Sequence, residues 1–197
     1  NSVETFQRKE AELTQFAREI NEAQFTHVVL LGMGGSSLCP AVSQETFGSA
    51  AGFANLLVLD STDPIAVKSI DSKVDYARTL FLVSSKSGTT TETICLYRYF
   101  YERMSRKIDT KAGDHFVAIT DPGSLLAKGA RSKLFRRIFE NPVDIGGRYS
   151  ALSYFGLVPM ALIGMNFSQL LESARQMQVS CGAFIPPESN PATSLGT

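Results

Sequence analysis

Three short stretches carry side chains of a type and spacing that could do chemistry. Gly32-Met33-Gly34-Gly35-Ser36-Ser37 directly follows the apolar run His27 to Leu31. Glycines let the backbone come close to a ligand, and a helix starting after them would aim free N–H groups at an anion. Residues 84–93 read SSKSGTTTET, and seven of these ten carry a hydroxyl. A helix cap needs only one hydroxyl. Seven of them, with the Lys86 ammonium and a helix N-terminus, make a compact anion cradle. Gly146-Gly147-Arg148-Tyr149-Ser150 places a fixed cation on a loop that can approach a ligand closely. An arginine there could stabilise an oxyanion or an enediolate, although a surface salt bridge is the commoner fate of a lone arginine.

Something must position these loops. HVVLL (27–31), LLVLD (56–60), TLFLVS (79–84) and HFVAIT (115–120) are short apolar runs rich in β-branched or aromatic residues. A weaker run, 137–140, leads into Asn141-Pro142. The four strong runs are continuous rather than alternating, which predicts parallel strands buried on both faces. Helical patterns fall between them over 38–47, 64–72, 91–104 and 125–130, with Pro64 suited to a first turn. Val3, Phe6, Leu13, Phe16, Ala17 and Ile20 give residues 1–24 one apolar face, so an N-terminal helix is expected there. The prediction is an α/β fold: a three-layer αβα sandwich around a five-stranded parallel sheet of Rossmann-like topology. Its body is expected over residues 25–182, with 183–197 as a Pro-, Ser- and Thr-rich connector. Ligands of such sheets sit at the carboxyl ends of the strands. The loops after the first and third strands then share one rim and can converge on one phosphate.

Composition excludes several alternatives. The 197 residues are 44% apolar, too many for a disordered chain and enough for one sizeable core. Nineteen basic and nineteen acidic side chains cancel, so no whole-chain field recruits nucleic acid or an anionic membrane. The basic patch Lys128, Arg131, Lys133, Arg136 and Arg137 therefore reads as a solvated helix face. Cys39, Cys95 and Cys181 are odd in number and far apart, which suits a reducing cytoplasm. They share no ligand spacing with His27 or His115, so no metal site is expected. No apolar signal region opens the chain. Residues 149–171 carry no formal charge, but Ser150, Ser153, Pro159, Asn166, Ser168 and Gln169 interrupt them. A helix buried between protein layers is expected there rather than a membrane span. Gly32, Gly34 and Asp60 imitate a dinucleotide fingerprint, yet Ser37 stands where its third glycine belongs. Asp60 can instead start the turn that caps the next helix.

GMGGSS, SSKSGTTTET and GGRYSALSYFGLVP, in that order and at these separations, resemble the first sugar-isomerase (SIS) domain of the glucose-6-phosphate isomerase family. The wording of the third motif is most similar to the isomerase part of a bacterial bifunctional transaldolase/isomerase. The resemblance implies interconversion of glucose 6-phosphate and fructose 6-phosphate through a cis-enediolate, without metal or cofactor. It implies phosphate binding by Gly35 and Ser36, and by Ser85, Lys86, Ser87, Thr90 and Thr93. Arg148 would face the enediolate. The family's general base and ring-opening histidine lie further along the chain, and no residue here matches them. The expectation is a domain of a longer, homodimeric enzyme that pairs with a second SIS domain and, by itself, binds sugar phosphates without turning them over. A non-enzymatic SIS sensor of phosphosugars would use the same phosphate loops, and a nicotinamide-dinucleotide-binding domain is the remaining alternative.

Overall fold

A computed structural model describes residues 2–196. Asn1 and Thr197, at the outer ends of the expected helix and connector, lie outside the described residues. Five strands form one parallel sheet: β1 (His27–Gly32), β2 (Asn55–Leu59), β3 (Thr79–Ser84), β4 (Phe116–Thr120) and β5 (Arg137–Glu140). Their order is β2-β1-β3-β4-β5. The direction of winding reverses between β1 and β3, whose registers align Gly32 with Ser84.

Burial on both faces explains the continuous apolar runs. Successive side chains of a strand point to opposite faces. Val28 and Leu30 join one core with Leu80, Leu82, Val117 and Ile119, while Val29 and Leu31 join another with Phe81, Val83, Phe116 and Ala118. The first core is closed by α1 (Ser2–Gln7), α2 (Glu10–Glu22), α3 (Leu38–Phe47), α7 (Tyr154–Leu162) and α8 (Phe167–Ser180). The second is closed by α4 (Pro64–Lys73), α5 (Thr91–Ile108) and α6 (Leu125–Ser132). The molecule is the αβα sandwich that the sequence predicts.

Several local expectations need correction. The opening segment is two helices, α1 and α2, separated by Arg8 and Lys9. The uncharged stretch 149–171 is also two helices, because the chain turns at Gly164 with φ +74° before the Asn166 cap. Every residue of α7 is buried, on the sheet and against α2. Its apolar surface is therefore covered within this chain. Among the described residues no helix is long and apolar enough to cross a membrane. Within the expected connector, Pro191–Gly196 forms a short helix, α9. The basic patch is not one helix face either. Arg136 and Arg137 lie past the end of α6; Arg137 pairs with Glu19 at 3.1 Å and Arg131 with Glu140 at 2.5 Å. Asp60 is exposed, and it is the Asp63 carboxylate that accepts from the Ile65 and Ala66 amides at 2.9 and 3.0 Å to start α4.

Candidate phosphate-binding site at the sheet switch point

The two loops that leave β1 and β3 emerge side by side at the carboxyl rim, where the winding reverses. An open α/β sheet holds its ligand at this place. The first loop tightens into a 3₁₀ turn over Gly34–Ser36 before α3 begins. Ser37 is buried and donates its hydroxyl to the Gly34 carbonyl at 3.1 Å, so it fixes the turn from within. The buried Ser84 hydroxyl at the end of β3 donates to the Ser36 carbonyl at 3.2 Å. That bond ties the two loops together across adjacent strands.

The hydroxyl-rich loop divides its labour. Ser85 is buried, its Oγ lying 3.0 Å from Thr90 Oγ1 and accepting from the Gly88 amide at 3.2 Å. It braces the loop. Ser87 is exposed and Thr90 half-buried, so these two can reach a ligand. Thr93 is fully buried on α5, and its Oγ1, shielded from solvent, has no hydrogen-bond partner among the described residues. An oxygen that water cannot reach will not touch a phosphate unless the loop moves, so Thr93 underlies the cradle rather than lining it. The Lys86 ammonium is engaged by Asp121 Oδ2 at 2.6 Å and the Val143 carbonyl at 3.0 Å.

The third motif packs against the first. A second 3₁₀ turn, Gly147–Tyr149, abuts the Gly34–Ser36 turn. The buried Ser150 hydroxyl lies 3.2 Å from the Gly35 carbonyl and 2.5 Å from that of Gly147, clipping the two turns together. Arg148 is exposed beside Gly35 and forms no ion pair among the described residues. The salt-bridge fate weighed for it does not occur. Gly35, Gly147, Arg148 and Ser150 form the polar end of a cleft of about 390 Å³, whose apolar wall includes Leu38, Val42, Phe47 and Met160. Burial pushes the pKa of the Cys39 thiol in this cleft up, against a smaller opposite effect of its contact with Ser43. Larger hollows exist on the outer face of α1 and α2 and between α4 and α5, but neither adjoins the glycine turns.

His27 and His115 stand apart from this rim, at the start of β1 and just before β4. His115 Nδ1 lies 2.9 Å from the Thr79 carbonyl, and its ring meets Phe25 edge-on. Among the described residues no cluster of His, Cys, Asp and Glu could hold a metal ion. The strand order also differs from the 3-2-1-4-5-6 order of dinucleotide-binding domains.

Paired glycine turns, a hydroxyl-rich loop and an unpaired arginine at the switch point of a 2-1-3-4-5 sheet define a sugar-isomerase-like α/β domain. Residues 9–193 match the family described as phosphoglucose isomerase, and the chain belongs to that family. The glucose-6-phosphate isomerase of Carboxydothermus hydrogenoformans is 31% identical over 180 residues, which cover 87% of this chain and 39% of that protein. A hypothetical protein of Thermus thermophilus superposes with a TM-score of 0.82 at 29% identity, covering 95% of this chain and 45% of the other. A glucose-6-phosphate isomerase from Chlamydia trachomatis does so with a TM-score of 0.78 at 27% identity, covering 89% and 34%. The chain thus spans less than half the length of each of these relatives.

Proposed function

We propose that this chain is the phosphosugar-binding domain of an enzyme interconverting glucose 6-phosphate and fructose 6-phosphate. The observation that carries this reading is the convergence of the Gly35-Ser36 turn, the Ser87–Thr90 loop and the unpaired Arg148 at one rim. In this reading the phosphate rests on the Gly35-Ser36 turn, Ser87, Thr90 and the N-terminus of α5. Ser85 and Thr93 support the loop from beneath, and Lys86 holds its shape. Binding the phosphate away from the reacting carbons orients C1 and C2 without acting on them. Arg148 faces the position where negative charge grows as the enediolate forms.

Proton transfer between C1 and C2 needs a base of near-neutral pKa. No carboxylate or imidazole lines the cleft beside Arg148 among the described residues. This supports the view that these residues bind the sugar and that a second SIS domain, in a homodimeric parent enzyme, supplies the base. We place that enzyme in the cytoplasm, in keeping with three free cysteines. The finer reading, an isomerase fused behind a transaldolase, rests on the GGRYSALSYFGLVP wording, and the coding sequence upstream decides it.

Calorimetric titration with fructose 6-phosphate, and separately with NAD, tests the proposal. Fructose 6-phosphate should bind and NAD should not, and an isomerase assay of these 197 residues should show no turnover. Binding of NAD alone would overturn the site, and normal turnover would overturn the division of labour.

A further inference from the structure

Lys86, which shapes the hydroxyl-rich loop, is itself held by a polar cluster at the rim. Asp121, the first residue after β4, holds Lys86 by side chain and backbone together. Its Oδ2 accepts from the ammonium at 2.6 Å and its amide donates to the Lys86 carbonyl at 3.0 Å. The Thr120 hydroxyl adds a bond to the same carbonyl at 3.3 Å. From there the ammonium reaches on to the Val143 carbonyl at 3.0 Å, in the loop that leads to Arg148. One ammonium thus joins three rim loops: the hydroxyl-rich loop, the turn after β4 and the arginine loop.

The pair is half-shielded, with side-chain exposures of 31% for Lys86 and 21% for Asp121. Asp121 Oδ1 is buried and has no hydrogen-bond partner among the described residues, so Lys86 is what compensates this carboxylate. Breaking such a pair from one side leaves an uncompensated charge in a poorly solvated place. The local balance therefore favours keeping Lys86 on Asp121, with its chain stretched toward Val143.

We propose that Asp121 is a positioning residue: by fixing the Lys86 ammonium it anchors the Arg148 loop over the phosphate cradle. The inference rests on the phosphosugar reading for its consequence and on the contacts above for its geometry. It separates two ligands. Inorganic phosphate needs the cradle alone, whereas fructose 6-phosphate must also meet the Arg148 loop.

The test compares wild type, Asp121→Asn, Lys86→Met and the double variant in the same chain, by titration with each ligand and by amide hydrogen exchange over residues 141–150. In Asp121→Asn, fructose 6-phosphate should bind about tenfold more weakly, the scale of one coupled contact. Inorganic phosphate should bind as well as before or more tightly, since a nearby negative charge has gone. Exchange over 141–150 should accelerate. In the Lys86→Met background the Asp121 change should cause no further loss of fructose 6-phosphate affinity. An unchanged fructose 6-phosphate affinity, an equal loss of both ligands, or an undiminished effect in the Lys86→Met background would overturn the proposal. The exchange measurement needs no ligand. Should wild type bind neither ligand, the phosphosugar reading fails, and unaltered exchange in Asp121→Asn would independently sink the anchor.

Discussion

Gly35 and Gly147 meet backbone to backbone: a Cβ on Gly35 would stand 2.4 Å from both the carbonyl carbon and the oxygen of Gly147. No side chain fits between the two turns. Gly35→Ala must therefore push the Arg148 loop off the cradle. Overpacking of this kind costs about 1–3 kcal/mol. The expected result is a lowered thermal midpoint together with loss of fructose 6-phosphate binding. Calorimetric titration beside a melting curve checks both, and retained affinity would show that the contact of the two turns is dispensable.

The double change Ser85→Ala, Thr90→Ala removes the hydroxyl pair that braces the third-strand loop, together with one hydroxyl that can reach the ligand. Phosphosugar binding should fall below detection. The fold should survive, because β3 itself is untouched and a typical hydrogen bond contributes about 1 kcal/mol net. Circular dichroism separates loss of the site from loss of the protein.

Asp63→Ala provides a control away from the cradle. It deletes the carboxylate that caps α4 through two backbone amides. Loss of such a cap costs about 1 kcal/mol. In a chain of this size that lowers the midpoint by about 2–4 °C. Fructose 6-phosphate affinity should not change.

The cysteines should differ in reactivity. Cys95 is exposed on α5, whereas Cys39 is partly buried and its thiol pKa is raised, chiefly by burial. Thiolate is the reactive form, so a raised pKa leaves less of it at neutral pH. Timed alkylation followed by peptide mass spectrometry should show Cys95 modified before Cys39. Raising the pH should speed Cys39 labelling as its thiolate population grows. The reverse order would mean that the cleft around Cys39 opens readily.

What the sequence revealed follows the range of the interactions involved. The strands were legible because burial on both faces leaves continuous apolar runs, and even Arg137–Glu140 forms a strand. The loops were legible because glycines and clustered hydroxyls cost stability in element interiors and stand out there. Boundaries set by one bond were not: Asp60 and Asp63 look equally able to cap α4, and geometry chose Asp63. The pairings of Arg137 with Glu19 and of Lys86 with Asp121 join residues distant in sequence, which local patterns do not encode. Thr93 resembles its hydroxyl neighbours in composition, and the helix phase that buries it shows only once α5 is laid on the sheet.

The helical layer that joins α1 and α2 to α7 and α8 has a consequence for biogenesis. Glu10 bonds Ser168, Glu12 accepts from the Tyr154 hydroxyl, and Glu19 pairs with Arg137. During synthesis the cover over Phe6, Leu13 and Phe16 is therefore complete only once the segment through Leu171 has left the ribosome. Between the synthesis of α2 and that of α8 the nascent chain carries an unfinished greasy surface, which makes α1 and α2 the place where a chaperone has most to shield.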